Sequence, residues 1–331
     1  MRYRGRVIEK IEHGVTIIAT GAQEYKLAEY LYGRDPRVLT QLELEEEIAK
    51  SNPDVVDCDN LVMIQCAGSR NGERPYCSRV CCNQAIKNAL KLKEIKPDMD
   101  ICVLYRDMRT YGFYEEYYEK ARQMGVIFLL YEPEHKPEVS QIRKDGRYLL
   151  RVKGKDPVLG EEVAIDADIL ALAVPITPPE DARELAMLYK VPLNADGFFL
   201  EAHVKLRPVD FATEGVFVCR LAHAPKAIEE SIAQAKAAAS RATTVLAKDT
   251  ITAEGIVAFV DEDICSGCGI CEALCPYGAI TIDEEEKVAK VNEALCKGCG
   301  TCCGACPSGA AQQRGFTADQ VLSMVTATLG V

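Results

Sequence analysis

With 331 residues, 48% of them hydrophobic and 27% charged, the chain has the composition of an ordinary globular protein and the length for two domains with a sizeable core. Its net charge of −11 argues against nucleic acid as a partner. Its best apolar run, residues 169–176, holds Pro175 and is far too short for a membrane span. Sixteen cysteines, with no signal-peptide pattern ahead of them, point to reduced thiolates gathered for metal rather than to disulfides, in a cytoplasmic protein of a reducing or anaerobic cell.

In chain order, residues 15–20 read as a strand ending at Gly21. Thr40 with Glu43 forms a capping-box pattern that opens a helix running to Ala49. Residues 61–65 are a buried-strand run, followed by a cysteine-bearing loop and a helix to about Lys93. A strand at 101–105, a helix at 114–124 and a strand at 126–130 come next. The stretch 139–163, punctuated by Gly146, Gly154 and Gly160, reads as an antiparallel excursion. Strands at 168–174 and 216–218 and a long Ala-rich helix at 227–247 complete this part. Strand–helix alternation of this kind predicts an α/β fold, a parallel sheet wrapped by helices. The pattern changes at 251–255, which divides the chain into a first domain, 1–250, and a second, 251–331.

The second domain is a short repeat. Cys265, Cys268, Cys271 and Cys275 form C-x2-C-x2-C-x3-C-P, and Cys296, Cys299, Cys302 and Cys306 form it again 31 residues later. This is the bacterial two-cluster ferredoxin spacing. Three thiolates from one tight loop cap three irons of a cubane, while the fourth cysteine has moved onto a helix and points at the other cluster. The expected ligand sets are therefore Cys265, Cys268, Cys271 and Cys306 for one [4Fe–4S] cluster, and Cys296, Cys299, Cys302 and Cys275 for the other. Gly267, Gly269, Gly298 and Gly300 let backbone N–H groups approach the sulfurs. CxxC pairs also bind zinc, but two complete copies that each end in Cys-Pro favour the cubane. Cys303 aligns with Glu272 and reads as a spare thiol. From Gly255 onward ten acidic residues face four basic ones, so a docking partner there is expected to be basic.

A second group, Cys66, Cys77, Cys81 and Cys82, runs from a strand end through a loop to a helix start. Gly68 and Gly72 do not complete a G-x-G-x-x-G phosphate cradle. Three readings stand: a third [4Fe–4S] cluster whose charge is offset by the helix N-terminus and by Arg70, Arg74 and Arg79; a redox disulfide between Cys77 and Cys81; and buried apolar thiols. Cys58, Cys102 and Cys219 are isolated and read as core or loop residues. The tyrosines at 111 and 114–118 read as a helix face.

Several long strings resemble the A subunit of heterodisulfide reductase. They are Ile64-Gln-Cys-Ala-Gly-Ser-Arg70, Arg74-Pro-Tyr-Cys-Ser-Arg-Val-Cys-Cys82, Leu104-Tyr-Arg-Asp-Met-Arg-Thr-Tyr-Gly112, Pro192-Leu-Asn-Ala-Asp-Gly-Phe-Phe199 and Leu206-Arg-Pro-Val-Asp-Phe-Ala-Thr213, together with the ferredoxin repeat. The resemblance covers nearly the whole chain. It implies a thioredoxin-reductase-like (Rossmann-type) FAD/NAD(P)-binding domain with an inserted cluster site on Cys66, Cys77, Cys81 and Cys82, followed by an α+β two-cluster ferredoxin domain. It also implies an FAD site to which Thr20 and Gly21 on one side, and the turn Cys219, Arg220, Leu221, Ala222 and His223 with Lys226 on the other, would contribute. His223 would either touch the flavin or simply be hydrogen-bonded; Lys226 is an anion-binding candidate; Arg220 stands where a closely packed turn calls for glycine. The family's N-terminal half, with its flavin fingerprint, is not in this chain, so a partner polypeptide is expected to supply it. The activity implied is that of an iron–sulfur, flavin-linked subunit working with other redox subunits, in a family whose flavin splits electron pairs between two acceptors. A self-contained flavin-dependent thiol–disulfide reductase using Cys77 and Cys81 is the alternative, and a scaffold that only docks other redox subunits is a third reading. No catalytic residue is singled out.

Overall fold

The computed structural model describes residues 2–3, 6–7, 11–158, 160–250 and 255–330. It forms two compact units. One comprises 21–179 with 224–231, the other 1–20, 180–223 and 232–331. The chain passes between them four times, so the units interleave along the sequence. The boundary expected at 251–255 lies, but for Gly255, outside the described residues.

The unit at 21–179 is built on a five-stranded sheet in the order Val38–Thr40, Ile169–Leu172, Asn60–Ile64, Asp100–Tyr105, Ile127–Leu130, with every neighbouring pair parallel. Strand side chains alternate between faces, and both faces here are apolar. Leu61, Met63, Ile101, Val103, Ile169 and Ala171 pack on one side with Ala85, Ile86 and Ala89 of the helix Cys81–Ile95. Val62, Ile64, Cys102, Leu104, Leu170 and Leu172 pack on the other. Two-sided burial is why these strands read as continuous apolar runs. The second face is covered by the antiparallel excursion, three strands in the order Glu162–Ala167, Arg147–Lys155, Glu138–Lys144, which contributes Leu150, Val152 and Ala167. The helix Gln41–Ala49 starts at the expected capping box: Thr40 Oγ1 accepts from the Glu43 N–H, and the Glu43 carboxylate accepts from the Thr40 N–H. Cys58 and Cys102 are core residues whose thiols burial pushes up to about 12.

In the other unit, strand Thr16–Ile18 pairs in parallel with Val216–Val218. Ile18 and Val218 pack with Phe199, Phe211 and the helix Ala182–Tyr189. On the opposite side Phe217 and Cys219 meet Ala238 and Ala242 of the helix Ile228–Leu246. Buried Asp210 is held there by the Arg241 guanidinium, at 2.9 and 3.0 Å. The ferredoxin repeat adds two small antiparallel pairs, Ala258–Val260 with Ala311–Gln313 and Ile280–Ile282 with Ala289–Val291. Lys297 of the repeat is paired with Glu214 at 2.6 Å. A final helix, Ala318–Leu329, not among the expected elements, opens with a Thr317/Gln320 capping box and buries no residue.

Candidate cluster and cofactor sites

The two repeat copies fold alike. In each, the glycine between the first two cysteines has a left-handed backbone, φ +62° at Gly267 and +60° at Gly298. A Cβ would run into the carbonyl oxygen of Lys287 at the first and of Ile256 at the second. Both requirements select glycine. Gly269 and Gly300, at φ +76° and +74°, are the N-caps of two short helices, Ile270–Leu274 and Thr301–Ala305. These helices carry the third cysteine of each motif inward, so that Cys271 and Cys302 are buried.

Two partly open hollows lie among these elements. One is lined by Cys265, Cys268 and Cys271 from the first motif and Cys306 from the second. The other is lined by Cys296, Cys299 and Cys302 from the second and Cys275 from the first. Each hollow thus draws three cysteines from one motif and the last from the other. Backbone donors aim at the sulfurs in matching pairs: Ala289 N–H to Cys265 Sγ at 3.4 Å and Ala258 N–H to Cys296 Sγ at 3.2 Å; Ala311 N–H to Cys306 Sγ at 3.4 Å and Ala279 N–H to Cys275 Sγ at 3.3 Å. Such donors favour thiolate over thiol. Burial raises the Cys306 thiol, but the N–H of Ala311 and the Ser308 hydroxyl outweigh it and the group ends below its ordinary value. Cys303 lines neither hollow; its sulfur lies 3.9 Å from that of Cys302. Four cysteines lining one hollow, with N–H donors to their sulfurs, are the ligand set of a cubane with terminal thiolates. Among the described residues no three His, Cys, Asp or Glu side chains close on a point that would suit a single metal ion.

The second cysteine group sits at the C-terminal edge of the parallel sheet, where α/β folds place their ligands. Cys66 follows the strand Asn60–Ile64 with φ +57°. The loop is anchored through the Ala67 N–H on Ala173 O at 3.1 Å and through Arg74, whose Nε donates to Gly68 O at 2.8 Å. It returns at the buried Cys81 and Cys82, the first residues of the helix Cys81–Ile95. The four thiols feel one another electrostatically. The Arg79 N–H donates to Cys77 Sγ at 3.3 Å, and the Arg70 guanidinium stands 4.0 Å from Cys66 Sγ. The hydrogen bond with Cys81 is the largest influence on Cys82; aided by the backbone of Arg109 and against burial, it draws that thiol down to about 7, while Cys81 is pushed well up.

The basic surroundings differ from the expected set. Arg70 is at the thiols, but the Arg74 guanidinium lies 3.9 Å over the Tyr25 ring and the Arg79 guanidinium pairs with Glu230 at 2.6 Å. The second cation is Arg109, bonded to Cys77 and to Asp107, which also holds Arg70. Arg109 follows a different strand, Asp100–Tyr105, and only the parallel pairing of that strand with Asn60–Ile64 brings it to the loop. Cys77 and Cys81 are both free thiols.

The residues expected to meet a flavin divide between the units. Thr20 is exposed. Cys219 is buried, its N–H bonded to Ile18 O at 3.1 Å, and Arg220 opens a 3-10 turn, Arg220–Ala222, at φ +64°. That is a backbone glycine prefers; here the Arg220 N–H is secured by Gln234 Oε1 at 2.8 Å. Leu221 is half-buried and Ala222 buried, its carbonyl accepting from the Phe199 N–H. His223 is hydrogen-bonded to Glu201 at 2.7 Å and Gln234 at 3.2 Å. In the other unit Gly21 has φ +76° and Lys226 is buried. The first donor of the helix after Lys226, the Ala227 N–H, is given to the Glu230 carboxylate at 2.9 Å.

Sulfur-lined hollows fed by main-chain N–H groups define an iron–sulfur protein of the two-cluster ferredoxin type, and residues 264–310 match the 4Fe-4S dicluster domain family. Over most of its length the chain is a relative of the heterodisulfide reductase A subunits. It is 40% identical over 291 residues to the A subunit of the H(2):CoB-CoM heterodisulfide,ferredoxin reductase of Methanothermobacter thermautotrophicus, covering 83% of this chain and 43% of that protein. It is 42% identical over 269 residues to an iron-sulfur A subunit of the CoB--CoM heterodisulfide reductase of Methanopyrus kandleri, covering 77% and 40%. The chain thus spans less than half the length of these relatives. Among solved structures, Lactococcus lactis thioredoxin reductase is similar at 16% identity and a TM-score of 0.46, over 71% of this chain and 67% of that one. No helix among the described residues is long and apolar enough to cross a membrane.

Proposed function

We propose that the chain is the iron–sulfur electron-transfer part of a heterodisulfide-reductase-like oxidoreductase. It would hold two [4Fe–4S] clusters in residues 251–331, on Cys265, Cys268, Cys271 and Cys306 and on Cys275, Cys296, Cys299 and Cys302. A third would sit on Cys66, Cys77, Cys81 and Cys82, within a dinucleotide-binding-like region at 1–250. The observation that carries the reading is the crossover itself: each hollow takes three cysteines from one motif and the last from the other.

Bound clusters of this kind take up and release single electrons. The chain's own residues do the rest. The buried Cys271 and Cys302 seat the inner side of each site away from water, and the N–H groups of Ala258, Ala279, Ala289 and Ala311 stabilise negative charge on sulfur. At the sheet edge Arg70 and Arg109 offset the charge of four thiolates, and Asp107 holds both in place. The relatives are named as subunits, so this chain too would work with other redox subunits that supply and accept the electrons. Thr20, Gly21, Cys219–His223 and Lys226 would be its contribution to an FAD site.

The test is the metal content of the anaerobically purified chain. Three cubanes require about 12 iron and 12 acid-labile sulfide per chain. A value near 8 (two cubanes) removes the sheet-edge cluster, and zinc in place of iron overturns the reading altogether. Flavin fluorescence after acid release decides whether these residues alone retain FAD.

A further inference from the structure

We infer that Gln65 is a positioning residue for the sheet-edge cluster, its side-chain amide donating an N–H···S hydrogen bond that raises the reduction potential there. The inference rests on the proposed third cluster. Gln65 is 0% exposed, and neither its Nε2 nor its Oε1 has a hydrogen-bond partner. Among the described residues it is the one buried side chain with both amide atoms unpartnered. A buried amide left so forfeits the hydrogen bonds it had in water, a loss a core position normally avoids by carrying an apolar residue.

Strand register says where the amide points. The Gln65 N–H is bonded to Leu104 O at 2.9 Å, so the ladder with Asp100–Tyr105 continues through it. Its carbonyl is fixed by the Tyr131 hydroxyl at 2.6 Å. Alternation then places its side chain on the face of Leu61 and Met63, against the helix that begins at Cys81 and Cys82. The adjacent residue, Cys66, supplies the thiol on the strand side. The amide therefore lies on the side of the sheet from which Cys81 and Cys82 open their helix, one residue before Cys66 in the chain. The other donors at this site, the Arg79 N–H and the Arg70 guanidinium, reach Cys77 and Cys66; Gln65 approaches from the buried side that neither serves. Hydrogen bonds to cluster sulfurs stabilise the reduced, more negative state.

The experiment uses the full chain, purified anaerobically, with Gln65→Met, which keeps length and removes the donor, and Gln65→Asn, which keeps the amide but draws it back by one methylene. Iron is counted first: wild-type protein near 8 iron per chain (two cubanes) would mean that the proposed third cluster is wrong, and this inference falls with it. With about 12 iron, an EPR-monitored redox titration follows the signal that Cys82→Ala abolishes, with the C-terminal clusters as internal reference. Gln65→Met should make that cluster about tenfold harder to reduce at a fixed poise, a fall of about 59 mV for one electron. Gln65→Asn should shift it the same way by less, and the reference clusters should not move. An unchanged potential in a fully loaded Gln65→Met protein overturns the assignment. So does loss of the cluster in both variants, which would make Gln65 a packing residue.

Discussion

The C-terminal hollows and the sheet-edge site each gather four cysteines, but they are built in opposite ways. In the ferredoxin module the cysteines are much of the core: Cys271 and Cys302 are buried with Ala258, Ile280 and Ala289, and further cysteines pack around them. The sheet-edge thiols instead rest on a scaffold that is complete without them, with a core of aliphatic side chains on each face. A module whose interior is its ligand set depends on its metal for its fold, because a small core supplies little burial of its own. A site placed at the end of a finished sheet depends on the metal only for its function.

Iron removal is the sharpest way to break this comparison. Anaerobic chelation should abolish amide-exchange protection in residues 255–316, while protection in Asn60–Ile64, Asp100–Tyr105 and Ile169–Leu172 persists. Loss of both together would mean that the proposed sheet-edge cluster also holds up its scaffold. Cys268→Ala or Cys299→Ala should then cost one cluster, or convert it to a three-iron form, readable by iron count and EPR.

Glycine substitutions come next. Gly267→Ala and Gly298→Ala each meet a backbone carbonyl at positive φ and should destabilise the module by several-fold more than the ~1 kcal/mol typical of a point mutant. Gly72→Ala, in the sheet-edge loop, meets nothing within 4 Å and should leave iron content and melting unchanged. Equal effects would remove the distinction between a tight and a permissive loop.

A smaller effect concerns the sheet unit's own stability. Arg37 hydrogen-bonds the buried Asp35 and holds its carboxyl at about 2. A carboxyl depressed on folding stabilises above its unfolded value, near 4, and that contribution is lost as pH falls through about 2. Asp35→Asn should therefore cost about 2 kcal/mol at pH 7, from a shift of nearly two pH units at about 1.4 kcal/mol each, and almost nothing near pH 2. Denaturant melts of the sheet unit at both pH values check this. The smallest change expected is that of Cys303→Ala, which touches neither hollow and should leave iron count and EPR signals intact.

What could be read from the chain, and what could not, follows the range of the interactions. The capping box at Thr40 and the parallel strands depend on patterns local in sequence, and each stands in the fold as expected. The Ala318–Leu329 helix, absent from the expected elements, was legible too, because Thr317 and Gln320 form the same local capping box as Thr40 and Glu43. Arg74 and Arg79 were expected at the thiols because they neighbour them along the chain; their guanidinium groups instead follow Tyr25 and Glu230.

By itself, then, the sequence determined the two ferredoxin motifs. Motif spacing and glycine placement are local, and a 31-residue repeat specifies its own symmetry. It also determined which cysteines flank the sheet edge. Only the tertiary structure decided which groups surround them. Arg109 and Asp107 follow the next strand of the sheet, Asp100–Tyr105, whose parallel pairing brings them to the loop. Which of these reach a sulfur depends on strand order and register, which a linear pattern does not carry.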